Sequence, residues 1–218
     1  MKDDFELRQR MVSEQIERRG VRSLRVLAAM RAVQRHCFVL PDQQPYAYED
    51  RPLPIGFGQT ISQPYIVALM SELAELELQD TVLEIGTGSG YQAAVLALLA
   101  RQVHSVERYP DLAERARCTL QEEKIGNVSV HVADGSLGWP EAAPYQAILV
   151  TAAAPAVPEP LQQQLAEGGR LIIPVGGRGG QELQSWRKQE GCMILGRVLG
   201  VAFVPLRGQY GWAEGEFI

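Results

Sequence analysis

From residue 63 onward, the chain alternates between segments with the apolar pattern of strands and segments with the pattern of helices. Strands that alternate in sequence with helices of about ten residues form βαβ units, in which the strands run parallel and the helices cover the sheet. This alternation therefore predicts an α/β protein with a Rossmann-like, doubly wound and mostly parallel sheet. The predicted strands are 81–85, 103–107, 128–132, 147–151 and 170–175, and the predicted helices are 64–76, 91–99, 110–121 and 158–166.

The two ends of the chain have other patterns. Residues 1–35 show two helical patterns separated at Gly20, the second over about 24–33, and we expect a helical extension there. The proline-rich stretch 40–60 has no clear periodicity, and its apolar content favours an ordered loop packed on the domain. After residue 181, apolar and polar residues alternate, which predicts antiparallel strands at one edge of the sheet. These edge strands are expected at 182–187, 192–198 and 201–204.

The length of 218 residues fits a single domain. We expect three parts within it: an N-terminal helical and loop extension, a cofactor-binding core, and C-terminal edge strands. These parts cover 1–60, 61–180 and 181–218. The formal net charge of −5 argues against a protein that binds the phosphate backbone of nucleic acids, although an acidic substrate needs only local positive charge.

The cysteines and histidines indicate in which cellular compartment the protein works and whether it binds zinc. The cysteines Cys37, Cys118 and Cys192 form no CxxC pair, and the three histidines have no metal-ligand spacing, so that we expect reduced thiols and no zinc site. The charged N-terminal sequence lacks the apolar core of a signal peptide, and no apolar stretch is long enough to span a bilayer. A cytoplasmic, monomeric protein without membrane segments is therefore expected.

A glycine-rich loop follows the first core strand. Its glycines are Gly86, Gly88 and Gly90, and a predicted helix begins directly after them. The dinucleotide fingerprint G-x-G-x-x-G/A is broken because Tyr91 occupies its last position, and no Lys-Ser/Thr follows as in a phosphate-binding P-loop. The spacing Glu-x-Gly-x-Gly-x-Gly resembles instead the signature of class I methyltransferases that use S-adenosyl-L-methionine. A tight turn without a ligand is the alternative explanation for such a loop.

Polar residues at the ends of the next two strands support a nucleoside-containing cofactor. Glu107 ends the second strand, where a carboxylate can accept hydrogen bonds from both ribose hydroxyls. Asp134 and Gly135 follow the third strand, where the carboxylate can accept a hydrogen bond from the adenine amino group. Separately, Glu107 could be a surface charge and Asp134-Gly135 a turn. Their joint occurrence at consecutive strand ends favours a cofactor site.

Nearly the whole chain closely resembles the protein-L-isoaspartate O-methyltransferase family in its bacterial form. The run Gln-Thr-Ile-Ser-Gln-Pro at 59–64 is the most specific motif, whereas the glycine loop is shared by many unrelated methyltransferases. One departure is Gln34, where the family usually has proline, and residue-level comparison stops after Leu206 because the tail varies within the family. The matching segments are 30–33, 35–39, 47–50, 52–65, 83–97, 105–108, 134–135, 138–139, 150–153 and 203–206.

The resemblance implies a specific reaction. The enzyme would transfer a methyl group from S-adenosyl-L-methionine to the free α-carboxylate of L-isoaspartyl residues in damaged proteins and peptides. The methyl ester then closes to a succinimide, whose hydrolysis returns part of the material to normal aspartate. Isoaspartyl proteins and peptides are therefore the expected partners, with no nucleic acid.

The resemblance also assigns roles to individual positions. Ser62 is the expected catalytic residue. The expected cofactor-binding residues are Thr60, Ser62, Gly86, Thr87, Gly88, Glu107, Arg108, Asp134 and Gly135. The isoaspartyl backbone is expected at Ile55, Gly56 and Val204.

Ser62 suits this reaction on chemical grounds. A carboxylate is already ionised at neutral pH and needs no general base, so that one hydroxyl donating to one of its oxygens is enough to orient it. The sequence leaves a second explanation open, because a serine just before a predicted helix can serve as its N-cap. Other functions also stay open: a methyltransferase for a small molecule, and a cofactor-binding module without catalysis. A nicotinamide dehydrogenase is disfavoured by Tyr91.

Overall fold

The computed structural model describes residues 4–217, and nine strands account for its two sheets. The strands are β1 (Leu53–Gly56), β2 (Gln59–Ile61), β3 (Thr81–Ile85), β4 (Gln102–Glu107), β5 (Val128–Val132), β6 (Tyr145–Val150), β7 (Leu165–Gly177), β8 (Gly180–Gln189) and β9 (Cys192–Val201). The large sheet has seven strands in the order β5-β4-β3-β6-β7-β8-β9. Strands β3 to β7 run parallel to one another, while β8 and β9 join one edge in antiparallel pairs.

Helices fill the connections between these strands and form the N-terminal extension. The α-helices are α1 (Asp4–Arg10), α2 (Leu24–Ala32), α3 (Pro64–Leu73), α4 (Tyr91–Ala97), α5 (Pro110–Glu122) and α6 (Glu159–Gln164). A π-helical turn (Met11–Ile16) and a 3₁₀ turn (Glu17–Arg19) continue α1 until Gly20, whose φ of 102° ends the run as a left-handed cap. Ser23 caps α2 by accepting a hydrogen bond from the amide of Val26.

The core lies on both faces of the large sheet, as a doubly wound fold requires. Successive residues of β3 point to opposite faces, so that Val82 belongs to one apolar cluster and Leu83 to the other. The cluster around Val82 also contains buried residues of the N-terminal extension and of helices α2 to α5, whereas Leu161 of α6 packs on the other face. The predicted Rossmann-like α/β fold, with antiparallel strands at one edge, is confirmed.

The order of the strands determines where a ligand can bind. From β3 the chain moves through β4 to β5 in one direction, and it then returns to β6 and β7 on the other side. The strand order therefore reverses between β3 and β6. In open α/β sheets, the crevice beyond the carboxyl ends of the strands at such a switch point is the usual ligand site.

One prediction is wrong in part and another is wrong. The stretch 40–60 packs on the domain as expected, with Tyr48, Leu53 and Ile55 buried, but it is not a plain loop, because it contains a 3₁₀ helix (Pro41–Tyr46) and the antiparallel hairpin of β1 and β2. The strand expected at 201–204 does not form, because β9 continues through Val201 and residues 202–204 follow outside the sheet. The edge order, which the sequence left open, is β7-β8-β9. Within residues 4–217, the helices are too short or too polar for any of them to traverse a lipid bilayer.

Candidate active site

The glycine loop between β3 and α4 forms the floor of a cleft at the switch point. Gly86, Gly88 and Gly90 all have positive φ values, of 94°, 53° and 88°. A side chain at Gly86 would collide with Oγ1 of Thr151, so that only glycine fits there. The cleft beside this loop measures about 570 Å³ when its opening to solvent is included. The predicted site residues that line it are Thr60, Gly86, Gly88, Glu107, Arg108, Gly135 and Val204.

Glu107 ends β4 with its carboxylate fixed by backbone amides. The Gly88 amide donates to Oε2 at 2.9 Å, and the Tyr109 amide donates to Oε1 at 3.0 Å. A carboxylate oxygen accepts more than one hydrogen bond, so that each oxygen keeps acceptor capacity. Two rigidly held acceptors side by side are suited to the adjacent hydroxyls of a ribose.

The two residues predicted for the adenine end are placed differently. Gly135 lines the cleft, and a Cβ atom there would lie 2.6 Å from Ile85. Asp134 is not among the lining residues, because its carboxylate is turned to the chain around it. Oδ1 accepts from the amide and hydroxyl of Ser136 at 2.9 and 2.7 Å, and Oδ2 accepts from the Gln209 amide at 2.7 Å. Asp134 therefore holds the C-terminal tail, and its contact with adenine stays a prediction.

A smaller space lies next to the cleft, beside the end of β2, and measures about 310 Å³ when its opening to solvent is included. It is lined by Thr60 and Ser62 on one side and by Gly86, Thr87 and Gly88 on the other. We call it the inner cavity. It is the place where the residues predicted for catalysis meet those predicted for the cofactor.

Ser62 has no hydrogen-bond partner in the part of the chain that the structure describes, whereas most neighbouring hydroxyls are bonded. The N-cap of α3 is Gln63, with Pro64 in the first turn, and no side chain caps this helix. The N-cap role considered for Ser62 is therefore wrong. Its hydroxyl lines the inner cavity and is available to a substrate.

A third and larger space, which we call the groove, measures about 1410 Å³ when its opening to solvent is included. Thr60, Ser62 and Val204 line it, so that the groove and the inner cavity share the end of β2. The charged residues of its lining are Arg19, Arg178 and Arg207. Arg19 is paired with Asp50 at 2.8 Å, whereas Arg178 and Arg207 have no carboxylate partner among the described residues, so that these two favour an anionic substrate.

Ile55 and Gly56 lie apart from these spaces. Ile55 is buried on β1, its carbonyl accepts a hydrogen bond from Arg115, and its side chain approaches Gly88 from outside the cleft. Gly56 is exposed at the tip of the hairpin with a φ of 91°. The structure does not bring these two residues next to Ser62, and their contact with the isoaspartyl backbone stays a prediction.

Sequence reasoning assigned no role to Thr151, which lines the cleft, the inner cavity and the groove. Its Oγ1 lies 2.7 Å from the Gly86 carbonyl and 3.0 Å from the Ile85 carbonyl, and it braces the glycine loop from β6. The signal that could have found it is its position, because a polar residue that directly follows a buried strand beside β3 belongs to the switch point.

These features fit S-adenosyl-L-methionine. The loop carries no lysine for phosphates, Gly86 keeps the backbone open to close approach, and Glu107 presents two braced acceptors. The cleft opens toward a groove that can hold a second molecule, with Thr60 and Thr151 at the junction. The arrangement is suited to bringing a methyl donor and an anionic acceptor together.

Comparison with known proteins agrees over nearly the whole chain. The family model described as protein-L-isoaspartate(D-aspartate) O-methyltransferase matches residues 6–211. A protein-L-isoaspartate O-methyltransferase of Methanoculleus marisnigri is 56% identical over 209 residues, which are 96% of this chain and 94% of that protein. The protein of the same name from Geobacter metallireducens is 54% identical over 210 residues, which are 96% of this chain and 97% of its own length.

Solved structures give the same result. A protein-L-isoaspartate O-methyltransferase superposes with a TM-score of 0.84 at 31% identity, over 94% of this chain and 67% of the other. A structure from Plasmodium falciparum, described as an enzyme of this kind in complex with S-adenosyl-L-homocysteine, gives a TM-score of 0.80 at 28% identity. That superposition covers 92% of this chain and 98% of the other.

Proposed function

The chain belongs to the protein-L-isoaspartate(D-aspartate) O-methyltransferase family, and we propose how its residues carry out the reaction of that family. The enzyme transfers a methyl group from S-adenosyl-L-methionine to the free α-carboxylate of L-isoaspartyl residues. The proposed outcome is repair, because the methyl ester closes to a succinimide that hydrolyses in part to normal aspartate.

The observation that carries the proposed mechanism is the unpartnered hydroxyl of Ser62 at the junction of the inner cavity and the groove. The bound cofactor supplies an electrophilic methyl group on a sulfonium. The isoaspartyl carboxylate is already ionised at neutral pH, so that the protein has to orient it rather than deprotonate it. Ser62 donates to one carboxylate oxygen and leaves the other free for in-line attack from about 3–3.5 Å.

The chain also lowers the barrier by keeping water away from the reacting groups. Opposite charges approach each other and partly cancel in the transition state, and removal of water favours such a change. β2, the glycine loop and Thr151 line the inner cavity, and a bound cofactor and substrate would displace water from it. Because neither reacting group needs a proton transfer, a histidine or carboxylate base beside Ser62 is not required.

The cofactor contacts follow from the cleft. Glu107 accepts from the ribose hydroxyls, Gly86 and Gly88 allow close approach to the loop, and Thr60, Thr87 and Arg108 complete the walls. Gly135 and Asp134 are proposed for the adenine end. Val204 at the groove, together with Ile55 and Gly56, is proposed to hold the isoaspartyl backbone.

A paired peptide assay tests this function. The protein is incubated with labelled S-adenosyl-L-methionine and two peptides that differ only in carrying L-aspartate or L-isoaspartate, and base-labile methyl ester is measured. Label on the isoaspartyl peptide alone is expected. Equal label on both peptides contradicts the proposal. Cofactor binding without label on either peptide also contradicts it, and would favour a small-molecule methyltransferase or a cofactor-binding protein without catalysis.

We further propose that the enzyme is a single-domain monomer that works in the cytoplasm on proteins and peptides and does not bind nucleic acids. The support is chemical: Cys37, Cys118 and Cys192 are all free thiols, and the net charge is −5. Sedimentation velocity over a range of concentrations should give a single species near the mass of one chain, 24.1 kDa. A concentration-dependent larger species would contradict the monomer.

A further inference from the structure

Glu84 is an acidic residue next to the glycine loop, and the proposed reaction assigns no role to it. It lies on β3 two residues before Gly86, opposite Ser105 of β4 on one side and Leu149 of β6 on the other. Its side chain is completely buried, with an exposure of 0%. A buried acidic side chain needs a reason, because burial of an ionised carboxylate without partners is very costly.

A short chain of hydrogen bonds joins Glu84 to the wall of the inner cavity. Oε2 of Glu84 lies 2.5 Å from the hydroxyl of Ser105, and this hydroxyl lies 2.5 Å from that of Thr87. Thr87 lines the inner cavity. Any change in the proton on Glu84 can therefore reach the cavity through two hydroxyls that both donate and accept.

The other oxygen of Glu84 shows which form of the acid the fold accepts. Oε1 is buried and has no hydrogen-bond partner within residues 4–217. Burial raises the pKa of Glu84 from 4.5 to about 8; the hydrogen bond from Ser105 opposes this and the nearby charge of Glu107 adds to it. The groups facing it from the neighbouring strands and the loop are Ser105, Glu107, Leu149 and Thr87, and none of these is a cation.

We propose that Glu84 is a neutral positioning acid whose proton fixes the direction of the hydrogen bonds through Ser105 to Thr87. The neutral acid donates to Ser105, Ser105 donates to Thr87, and the Thr87 proton is left for the inner cavity. An ionised Glu84 would reverse this order, since Ser105 would donate to the carboxylate and Thr87 to Ser105. The cavity wall would then offer only an acceptor.

The direction determines what Thr87 can bind. A donor at this wall recognises an anionic oxygen. If the proposed function holds, two carboxylates are candidate partners: that of the amino-acid part of the cofactor and that of the isoaspartyl substrate. The proton on Glu84 therefore prepares the site for a carboxylate without placing a charge beside it. Glutamine at position 84 would keep this arrangement because its amide can also donate to Ser105.

The first test needs neither cofactor nor peptide. Between pH 4.5 and about 8, the folded protein holds a proton on Glu84 that the unfolded chain has released, so that stability should fall as pH rises through this range. Glu84→Gln cannot lose a proton there. The difference in urea midpoint between Glu84→Gln and wild type should therefore grow from pH 5 to pH 8. Parallel pH profiles would overturn the inference even if the methyltransferase activity is confirmed.

The second test measures S-adenosyl-L-homocysteine binding by calorimetry and the KM of an isoaspartyl peptide at pH 7. Glu84→Gln should stay within about threefold of wild type in both quantities, whereas Glu84→Ala and Thr87→Val should lose about tenfold or more in one of them. Loss of cofactor affinity identifies the cofactor carboxylate as the partner, and a raised KM alone identifies the substrate carboxylate.

A further variant keeps this test decisive. Ser105→Ala removes the hydroxyl between Glu84 and Thr87 and leaves Glu84 in place, so that it should show the same loss as Thr87→Val even if Glu84→Ala fails to fold. If Glu84→Gln loses as much as Glu84→Ala, the working form of Glu84 is the ionised one and the inference is wrong. The same holds if Thr87→Val leaves both quantities unchanged.

Discussion

Hydrogen-bond partners distinguish Ser62 from most of the other hydroxyls around the inner cavity. The hydroxyl of Thr87 is bonded to Ser105, that of Thr151 contacts backbone carbonyls, and that of Ser89 accepts from the Tyr91 amide. Within the described chain, Ser62 has no such partner and also faces the groove. Thr60 is the other hydroxyl of this cavity without a partner among the described residues, so that both Thr60 and Ser62 are available to a ligand.

Ser62→Ala should therefore reduce turnover without affecting the cofactor. Loss of one hydrogen bond to a charged group corresponds to about 1.5–3 kcal/mol, or about 10- to 150-fold in kcat with an isoaspartyl peptide. The Kd of S-adenosyl-L-homocysteine should stay nearly the same. Ser89→Ala is the matched control, since it removes a hydroxyl of the same cavity that is already bonded. A collapse of cofactor affinity in Ser62→Ala would instead make Ser62 structural.

Glu107 is expected to show the opposite pattern. Glu107→Ala removes the acceptors for the ribose and also the partner of the Gly88 amide, so that binding of S-adenosyl-L-homocysteine should weaken by about 1.5–3 kcal/mol, or about 10- to 150-fold in Kd. Glu107→Gln keeps one acceptor oxygen and should lose less. Calorimetric titration of both variants decides, and an unchanged Kd in Glu107→Ala would contradict the ribose assignment.

Among the elements, the core strands were predictable and the hairpin of β1 and β2 was not. The core strands are either mostly apolar, as in β6, or alternate apolar and polar residues, as in β5, and both patterns depend only on local sequence. The hairpin strands have four and three residues and include Pro54, so that their pattern is too short to identify. Their pairing depends on the turn 56–58, where Phe57 adopts a φ of 54° that is unusual for a residue with a side chain.

The same region explains the wrong prediction for the N-cap of α3. Proline is favoured at the first position of a helix, where its missing amide costs nothing. Pro64 takes that position, so that Gln63 becomes the cap and Ser62 stays outside the helix. The predicted start of the helix at residue 64 agrees with the structure, and only the cap was wrong, because the preference of serine for N-caps suggested Ser62 instead of Gln63.

The hairpin tip is held against the cofactor cleft by an aromatic pair. Phe57 stacks on Tyr109 with ring centroids 5.6 Å apart, and Tyr109 lines the cleft. Such pairs contribute about 0.5–1.5 kcal/mol. Because the hairpin also carries Thr60, Phe57→Ala should increase the dissociation rate of S-adenosyl-L-homocysteine by about two- to tenfold.

Stopped-flow displacement measures this rate. Phe57→Tyr retains the ring and is the control, and Tyr109→Ala combined with Phe57→Ala completes a double-mutant cycle. If the two rings act through their contact, the dissociation rate of the double variant should rise by less than the product of the two single increases. Strictly multiplicative effects would show that the two rings do not act together.

At the scale of the whole molecule, the sheet order made the position of the cleft predictable, but not the groove. Glu107, Gly135 and the glycine loop come together because they follow neighbouring parallel strands. The groove depends on contacts between the segment after β9 and the end of β2, more than a hundred residues apart in sequence. No local pattern records such a contact, which is why Arg178 and Arg207 were not found as site residues.

The pH dependence of global stability should also reflect a histidine pair on β4 and β5. Nδ1 of His104 lies 3.2 Å from Nε2 of His131, whose ring stacks on Trp139 with centroids 4.0 Å apart. Burial lowers the pKa of both histidines below 6.5, and for His131 the neighbouring His104 lowers it further. Protonation of both rings would place two cations side by side.

The sign of the resulting effect follows from proton binding. Below pH 6.5 the unfolded chain takes up protons that the folded protein resists, so that stability is full above this value and falls as pH drops through the lowered pKa values. His131→Phe keeps a ring against Trp139 but cannot be protonated, and it should lose less of its urea midpoint than wild type between pH 7 and pH 5. The contribution of Glu84 is common to both proteins and cancels in their difference. Equal losses in the two proteins would show that the pair does not resist protonation.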